Sequence, residues 1–338
     1  MKALFIGLGG VGQRHLRNLL RLQPDAALGA VRHTGRSFEI GYDLKPDYSV
    51  DIMEKYRIAR FASLDEGIAW RPDFAVVASP SSAHLAQVAA LVRGGVPVFL
   101  EKPISSQAEG LDELLELTRA AGVPVMVGYM FRFHPGVRRF QELFAARAVG
   151  RVRTVHVLLH SYMPAWHSYE KYNDFYAGRK DLGGGAVLSE IHELDLVTAM
   201  LGTPGRVWST GGTLSDLDLD VEDTACALME FSLDGRLVPA TLQMSFVQRP
   251  PARTITVYGE RGSLSWDAMA SRVVLADAEN GASEEDFSGF ERNRMFEEEL
   301  AHFLECVRDK KEPLTSLAAV MPGHRLALAI RDGLGRES

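Results

Sequence analysis

The sequence predicts an α/β protein of two domains, a parallel sheet covered by helices followed by a mostly antiparallel sheet. Three observations predict it. A glycine run, Gly7-Leu8-Gly9-Gly10-Val11-Gly12, follows the apolar stretch Ala3-Leu4-Phe5-Ile6 and opens a helical pattern. Continuous apolar runs then alternate with amphipathic helical stretches to about residue 125. Beyond Gly150 the pattern becomes strict apolar/polar alternation.

The elements follow in order. The helix after the glycines runs over Val11 to Leu22, and Ala27 to Val31 reads as a second strand. The segment from Thr34 to Arg60 is polar and irregular and has no assigned elements. Phe74 to Ala78 and Val96 to Leu100 are buried strands, followed by helices over Ala83–Arg93 and Ala108–Ala121, and Val123 to Val127 closes the series. Strands at Arg151–His160, Ala225–Phe231, Leu237–Phe246, Thr254–Tyr258 and Ser263–Trp266 follow, with Asp234-Gly235 as a hairpin turn between the second and third. An antiparallel sheet of this kind needs helices on one face. His192–Leu201 supplies one, and Asn293–Arg308 and Leu317–Arg331 supply two more. The domains are placed at 1–125 and 126–338, with the final helices free to pack back on the first.

Length and composition bound the function. A chain of 338 residues exceeds one ordinary core. Its 46% hydrophobic and 24% charged residues are those of a globular protein, and a formal charge of −7 argues against a nucleic acid as partner. No stretch reaches the roughly 18 apolar residues of a membrane helix. Two cysteines, Cys226 and Cys306, have no metal-ligand spacing, and a cytoplasmic setting is expected.

The glycine run has the chemistry of a dinucleotide-binding turn. Gly7 allows the tight turn, Gly9 lets a pyrophosphate approach the backbone, and Gly12 lets helix and strand pack closely, with Gly10 and Val11 opening the helix whose N–H groups receive the anion. An acidic residue about 20 positions on would bind a ribose 2′-hydroxyl. Here 32 − 12 = 20 falls on Arg32, in the run Arg32-His33-Thr34-Gly35-Arg36, which has no acid. Arg32, His33, Thr34 and Arg36 are therefore assigned to the cofactor, with NADP(H) favoured and NAD(H) the alternative.

Ligands of such sheets bind at the carboxyl ends of the strands. Ser79-Pro80-Ser81-Ser82-Ala83-His84 follows one strand and Glu101-Lys102-Pro103 the next, so Ser79, Pro80, Ser81, His84, Glu101 and Lys102 are placed around the cofactor. Lys102 is the candidate proton carrier, its pKa expected to fall from about 10.4 in a desolvated cleft. A second constellation runs from Gly183-Gly184-Gly185 to Ser189, His192 and Asp195. His192 and Asp195 share a helix face, where the carboxylate could orient the imidazole for acid–base work. The run from Tyr162 to Lys180 reads as a substrate wall, with Trp166, Tyr169, Arg179 and Lys180 supplying sugar-stacking rings and anion-binding cations. No metal site is expected.

With these motifs in hand, the chain resembles the glucose–fructose oxidoreductase / inositol dehydrogenase / rhizopine-catabolism (Gfo/Idh/MocA) family. The matching pieces are Gly7 to Gly12, Glu101-Lys102-Pro103, Tyr129-Met130-Phe131-Arg132-Phe133-His134-Pro135, and the triple glycine leading to His192. The resemblance implies a Rossmann domain and an α/β domain with a large open sheet that forms a homodimer or homotetramer interface. It implies NAD(P)-dependent hydride transfer at a hydroxyl or carbonyl carbon of a sugar, sugar acid, cyclitol or nucleotide sugar. Lys102 and His192 would be the catalytic pair, with Tyr129, Arg132, Ser189 and Asp195 near the substrate. One position departs: Ser189 stands where many members carry an Asp, leaving Asp195 or Glu190 to compensate, or Lys102 and His192 to share the proton. A redox-neutral NAD-dependent glycosidase and a non-catalytic dinucleotide-binding regulator are the alternatives.

Overall fold

The computed structural model describes residues 1–32 and 37–335. Its N-terminal part contains β1 (Lys2–Ile6), α1 (Gly10–Leu22), β2 (Ala27–Val31), β3 (Phe38–Ile40), β4 (Pro46–Asp51), α2 (Ile52–Lys55), β5 (Ala59–Phe61), α3 (Leu64–Ala69), β6 (Phe74–Val77), α4 (His84–Arg93), β7 (Val98–Glu101), α5 (Leu111–Ala121) and β8 (Val125–Gly128). Six of these strands form one parallel sheet in the order β5-β2-β1-β6-β7-β8. Every residue of β6, β7 and β8 is buried, as their unbroken apolar runs require of a sheet covered on both faces. The strand order reverses between β1 and β6, which opens a crevice at their carboxyl ends.

The segment that the sequence pattern did not resolve holds β3, β4, α2 and β5. β3 and β4 form a two-stranded antiparallel piece with a register shift at Phe38/Glu39. It is tied down by polar groups. The Gln13 side chain in α1 accepts from Ile40 N at 2.7 Å and donates to Phe38 O at 3.1 Å, so the bonds that hold this segment come from another element.

The second part comprises α6 (Pro135–Ala145), β9 (Val152–Tyr162), α7 (Ala186–Ser189), α8 (His192–Leu201), β10 (Arg206–Gly212), β11 (Thr224–Leu233), β12 (Arg236–Ser245), β13 (Val247–Gly259), β14 (Gly262–Asp267), β15 (Arg272–Asp277), β16 (Gly281–Asp286), α9 (Asn293–Asp309) and α10 (Leu317–Gly333). Its eight strands run in the order β10-β11-β12-β9-β13-β14-β15-β16, antiparallel except for the parallel β9–β12 pair. Alternate residues of β11 and β12 are buried, and the other face leaves Trp208, Leu228 and Tyr258 exposed. The Asp234-Gly235 turn joins β11 to β12 as its dipeptide predicts.

The two parts are stitched by the C-terminal helices. Leu300, Phe303 and Leu304 of α9 join a core with Phe5, Phe74 and Phe99 of the parallel sheet, and the Phe303 ring lies 5.6 Å from both Phe74 and Phe99. Before α10, Thr315 Oγ1 donates to Val127 O at 2.7 Å and Val127 N donates to Thr315 O at 2.9 Å, extending the β8 edge. Gly323 lets α10 cross α8 closely, since a Cβ there would lie 2.9 Å from Asp195 Cα.

Candidate active site

The glycine turn divides its labour as the backbone demands. A Cβ on Gly7 would lie 2.4 Å from Ala78 O, and one on Gly12 would lie 2.3 Å from Gly7 O, so both are fixed by packing. A Cβ on Gly9 would meet nothing within 4 Å. The turn therefore leaves open space at the one glycine where a pyrophosphate has to approach, and α1 has no acidic residue in its first turn to repel it. These residues fit a dinucleotide.

Gly9 lines a cleft of ≈ 950 Å³ between the two parts. Gly7, Gly10, Val11 and Arg32 line it, as do Ser79, Pro80, Ser81, Glu101 and Lys102 from the strand ends. Trp166, Tyr169, Ser189 and His192 line it from the second part. Lys102 and His192, which lie on separate sheets' elements 90 residues apart in the chain numbering (192 − 102), thus share one cavity. The triple glycine makes this possible. Ser81 Oγ donates to Gly183 O at 3.0 Å, and any Cβ on Gly183 would collide with Ser81 and Ser106, so the two parts meet there backbone to side chain. That seam delivers Ser189 to Lys102.

The Lys102 ammonium donates to Ser189 O at 2.7 Å and to Tyr176 Oη at 3.5 Å. Burial pulls its pKa down, but the Tyr176 hydroxyl and the Glu101 and Glu190 carboxylates outweigh burial and hold it above the ordinary lysine value. The expected fall is therefore corrected: desolvation is present, and neighbouring acids overcome it. Glu101 does not pair with Lys102 either; its Oε1 meets His15 Nε2 at 2.6 Å inside the core.

His192 is the opposite case. Burial, then the positive charges of Lys102, Arg253 and Arg292, push its pKa well below the ordinary histidine value, so the imidazole is neutral at pH 7. Its ring stands edge-on to Tyr129 and Phe131, with centroids 5.7 and 5.2 Å away. Nδ1 is buried without a hydrogen-bond partner. Asp195 does not orient it. The Asp195 carboxylate is held by Arg132, Nε to Oδ2 at 2.7 Å and Nη2 to Oδ1 at 2.9 Å. Glu190 is also engaged, accepting from Arg253 Nη2 at 2.9 Å and Ser161 Oγ at 3.0 Å. At Ser189 the backbone carbonyl serves Lys102, while the buried hydroxyl has no partner.

Other expected residues lie off the cleft lining. Tyr129 is fully buried beside Asp195 and Arg132. Arg179 reaches Asp181 at 2.6 and 3.0 Å on the surface, and Lys180 N donates to Asp220. The short sequence separation of Arg179 and Asp181 lets them pair locally. His84 spans the carbonyls of Pro103 at 2.8 Å and Ser79 at 2.9 Å, so it fixes the two strand-end loops relative to each other. His33, Thr34 and Arg36 lie outside the described residues. Tyr176, from the expected substrate wall, and Glu190, from the triple-glycine motif, line the cleft; Arg253 and Arg292 also line it, without belonging to any short motif.

Among the described residues no cluster of His, Cys, Asp and Glu could hold a metal, and no helix is long and apolar enough to cross a membrane. Comparison with known proteins agrees with the architecture. Residues 1–129 match the family model described as an oxidoreductase family with an NAD-binding Rossmann fold, and residues 137–265 match the GFO/IDH/MocA C-terminal domain. The chain is 29% identical over 266 residues to a 2,7-anhydro-N-acetylneuraminate hydratase of Mediterraneibacter gnavus, covering 78% of this chain and 66% of that protein. A second hydratase, from Escherichia coli, is matched over 64% of its length, so the chain spans slightly less than two thirds of both. It is 26% identical to an inositol 2-dehydrogenase of Acidothermus cellulolyticus, covering 96% of this chain and 89% of that one. The fold of a UDP-N-acetylglucosamine 3-dehydrogenase of Acidithiobacillus ferrooxidans superposes with a TM-score of 0.76 at 19% identity, over 99% and 97% of the two chains. The WlbA dehydrogenase of Bordetella pertussis, solved with NADH and UDP-GlcNAcA, does so at 0.77 and 19%, over 98% and 95%. With a glycine turn open at Gly9, an open-sheet second domain and both halves matched, the chain belongs to the Gfo/Idh/MocA family of oxidoreductases with an NAD-binding Rossmann fold.

Proposed function

We propose that the protein transfers hydride reversibly between a nicotinamide dinucleotide and a hydroxyl or carbonyl carbon of a sugar-type substrate, with Lys102 and His192 handling the hydroxyl proton. The observation that carries this reading is the convergence of those two side chains, from different domains, in the cleft that also contains Gly9. The nicotinamide, when bound, accepts or returns the hydride. Gly9, Gly10 and Val11 would hold its pyrophosphate, and Ser79, Pro80 and Ser81 would border its ring.

The proton chemistry follows from the two opposite electrostatic states. His192 stays neutral and accepts the hydroxyl proton as the carbinol is oxidised, then returns it in the reverse direction. Lys102 stays charged. An ammonium has three N–H donors, and two are engaged by Ser189 and Tyr176, leaving one for the reacting oxygen. It stabilises the negative charge that develops there. Trp166 borders the sugar, whereas the Tyr169 hydroxyl lies beside the glycine turn, 3.1 Å from where a Cβ on Gly10 would stand.

NADP(H) is the favoured cofactor. Arg32 lines the cleft at the end of β2 with no hydrogen-bonding partner among the described residues, and a 2′-phosphate would supply one. A screen of sugars, sugar acids and nucleotide sugars, followed by nicotinamide absorbance with each cofactor, tests both parts. We expect reduction with at least one substrate and a kcat/KM about tenfold higher with NADP+ than with NAD+. A preference for NAD+ overturns the cofactor assignment, and no hydride transfer with any substrate overturns the reaction. The two matched hydratases motivate a second reading, a redox-neutral reaction in which the cofactor is reduced and reoxidised within one turnover. Substrate consumption without accumulating reduced cofactor would favour it. The exposed face carrying Trp208, Leu228 and Tyr258 is the proposed homo-oligomer interface.

A further inference from the structure

We infer that the substrate carries an anionic group, a carboxylate or a phosphate, and that Arg292 recognises it at the cleft wall. The inference rests on the hydride-transfer reading for the position of the reacting carbon. Arg292 immediately precedes α9, lines the cleft and is exposed to it, yet it makes no hydrogen bond or ion pair among the described residues. The other guanidiniums nearby are satisfied. Arg253 is clamped by Glu193 at 2.5 and 3.0 Å and by Glu190 at 2.9 Å. Arg132 is neutralised by Asp195, and Arg14 donates to Tyr42 O at 2.7 Å and Asn293 Oδ1 at 2.8 Å.

Arg292 sits among like charges. Arg253 and Arg14 lie within electrostatic range, and Arg292 in turn contributes to keeping His192 neutral, so it belongs to the proton-handling end of the cleft. Among the described residues Glu190 is the one carboxylate that attracts it, and Glu190 hydrogen-bonds Arg253 and Ser161 instead. An exposed guanidinium in the cleft, with no protein partner among the described residues and two other positive charges nearby, has its donor fork free for a ligand that brings the counter-charge. Its planar fork matches the two oxygens of a carboxylate or phosphate. Of the two cations that composition alone would have chosen, Arg179 is paired with Asp181 at the surface, and neither it nor Lys180 lines the cleft.

The test is calorimetric titration of the cofactor-loaded protein with matched probes: glucose, glucuronate and glucose 6-phosphate, and galactose, galacturonate and galactose 6-phosphate. We expect at least one charged probe to bind about 10- to 100-fold more tightly than its neutral parent, the range for one charge-assisted hydrogen-bonded pair. Arg292→Met should abolish that difference, Arg292→Lys should retain part of it, and cofactor affinity should stay unchanged in both. Which charged probe gains distinguishes carboxylate from phosphate. The inference is overturned if no charged probe outbinds its parent, if Arg292→Met keeps the preference, or if that variant weakens the dinucleotide instead of the sugar. Arg292-dependent binding of an acid without nicotinamide reduction would leave the inference standing and remove the hydride-transfer reading. Reduction with neutral sugars alone would do the reverse.

Discussion

Helix α8 carries two polar residues one turn apart that the protein treats in opposite ways. His192 opens the helix in the cleft, with a buried Nδ1 that has no partner, and burial together with the neighbouring positive charges keeps the ring neutral. Asp195 is sealed, and both its oxygens are gripped by Arg132. The two have similar burial, so burial does not separate them. The state of pairing does. A buried charge that is fully satisfied holds structure together, whereas buried groups left partly unpaired beside an open cavity are poised for chemistry.

This contrast can be broken by substitution. The largest effect is expected for His192→Ala, which should lower kcat by about 10²- to 10⁴-fold, the usual contribution of a positioned acid–base group. In the unaltered protein kcat/KM should be flat across neutral pH. The acid limb reports protonation of His192, whose pKa lies well below 6.5, and the alkaline limb reports loss of the Lys102 proton, held above 10.5. An acid limb at or above pH 6.5 would contradict the neutral-imidazole assignment. The same depressed pKa has a stability consequence. The unfolded chain binds a proton at this histidine more readily than the folded one, so its penalty is absent above about pH 6.5 and grows as pH falls below it.

Asp195→Ala should act on the other side of the comparison. It strands a buried guanidinium and should cost roughly 3–5 kcal/mol in denaturant unfolding, with kcat of the remaining folded protein little changed. Full stability with lost turnover would place Asp195 in the chemistry and erase the distinction. The smallest effect is expected at the surface. Arg179→Ala should leave KM within about twofold, because its partner Asp181 is an exposed neighbour.

The same distinction explains what could be read from the chain. Gly7 to Gly12, Lys102 and His192 were legible because each depends on a local requirement: a tight turn, a strand end, a helix start. The two-sheet architecture was legible from periodicity, since all-buried β6, β7 and β8 and alternating β11 and β12 write their environments into the sequence. β16 was not, because its Ser283-Glu284-Glu285-Asp286 stretch is largely exposed and shows no alternation. Nor were β3 and β4, which are held by the Gln13 side chain of another element. At the site, Arg253 reaches Glu193 across 60 positions and Arg132 reaches Asp195 across 63. No spacing rule encodes such pairs. Arg179 misled for the converse reason, since loop composition does not say which way a side chain points.

Lys102→Met gives the most direct test, measured as single-turnover hydride transfer alongside cofactor affinity. If the ammonium from one domain and the imidazole from the other act together on the reacting oxygen, turnover should fall by at least about 10²-fold. Dinucleotide binding should persist, because the glycine turn is untouched. Turnover close to that of the unaltered protein, with the cofactor still bound, would contradict the account.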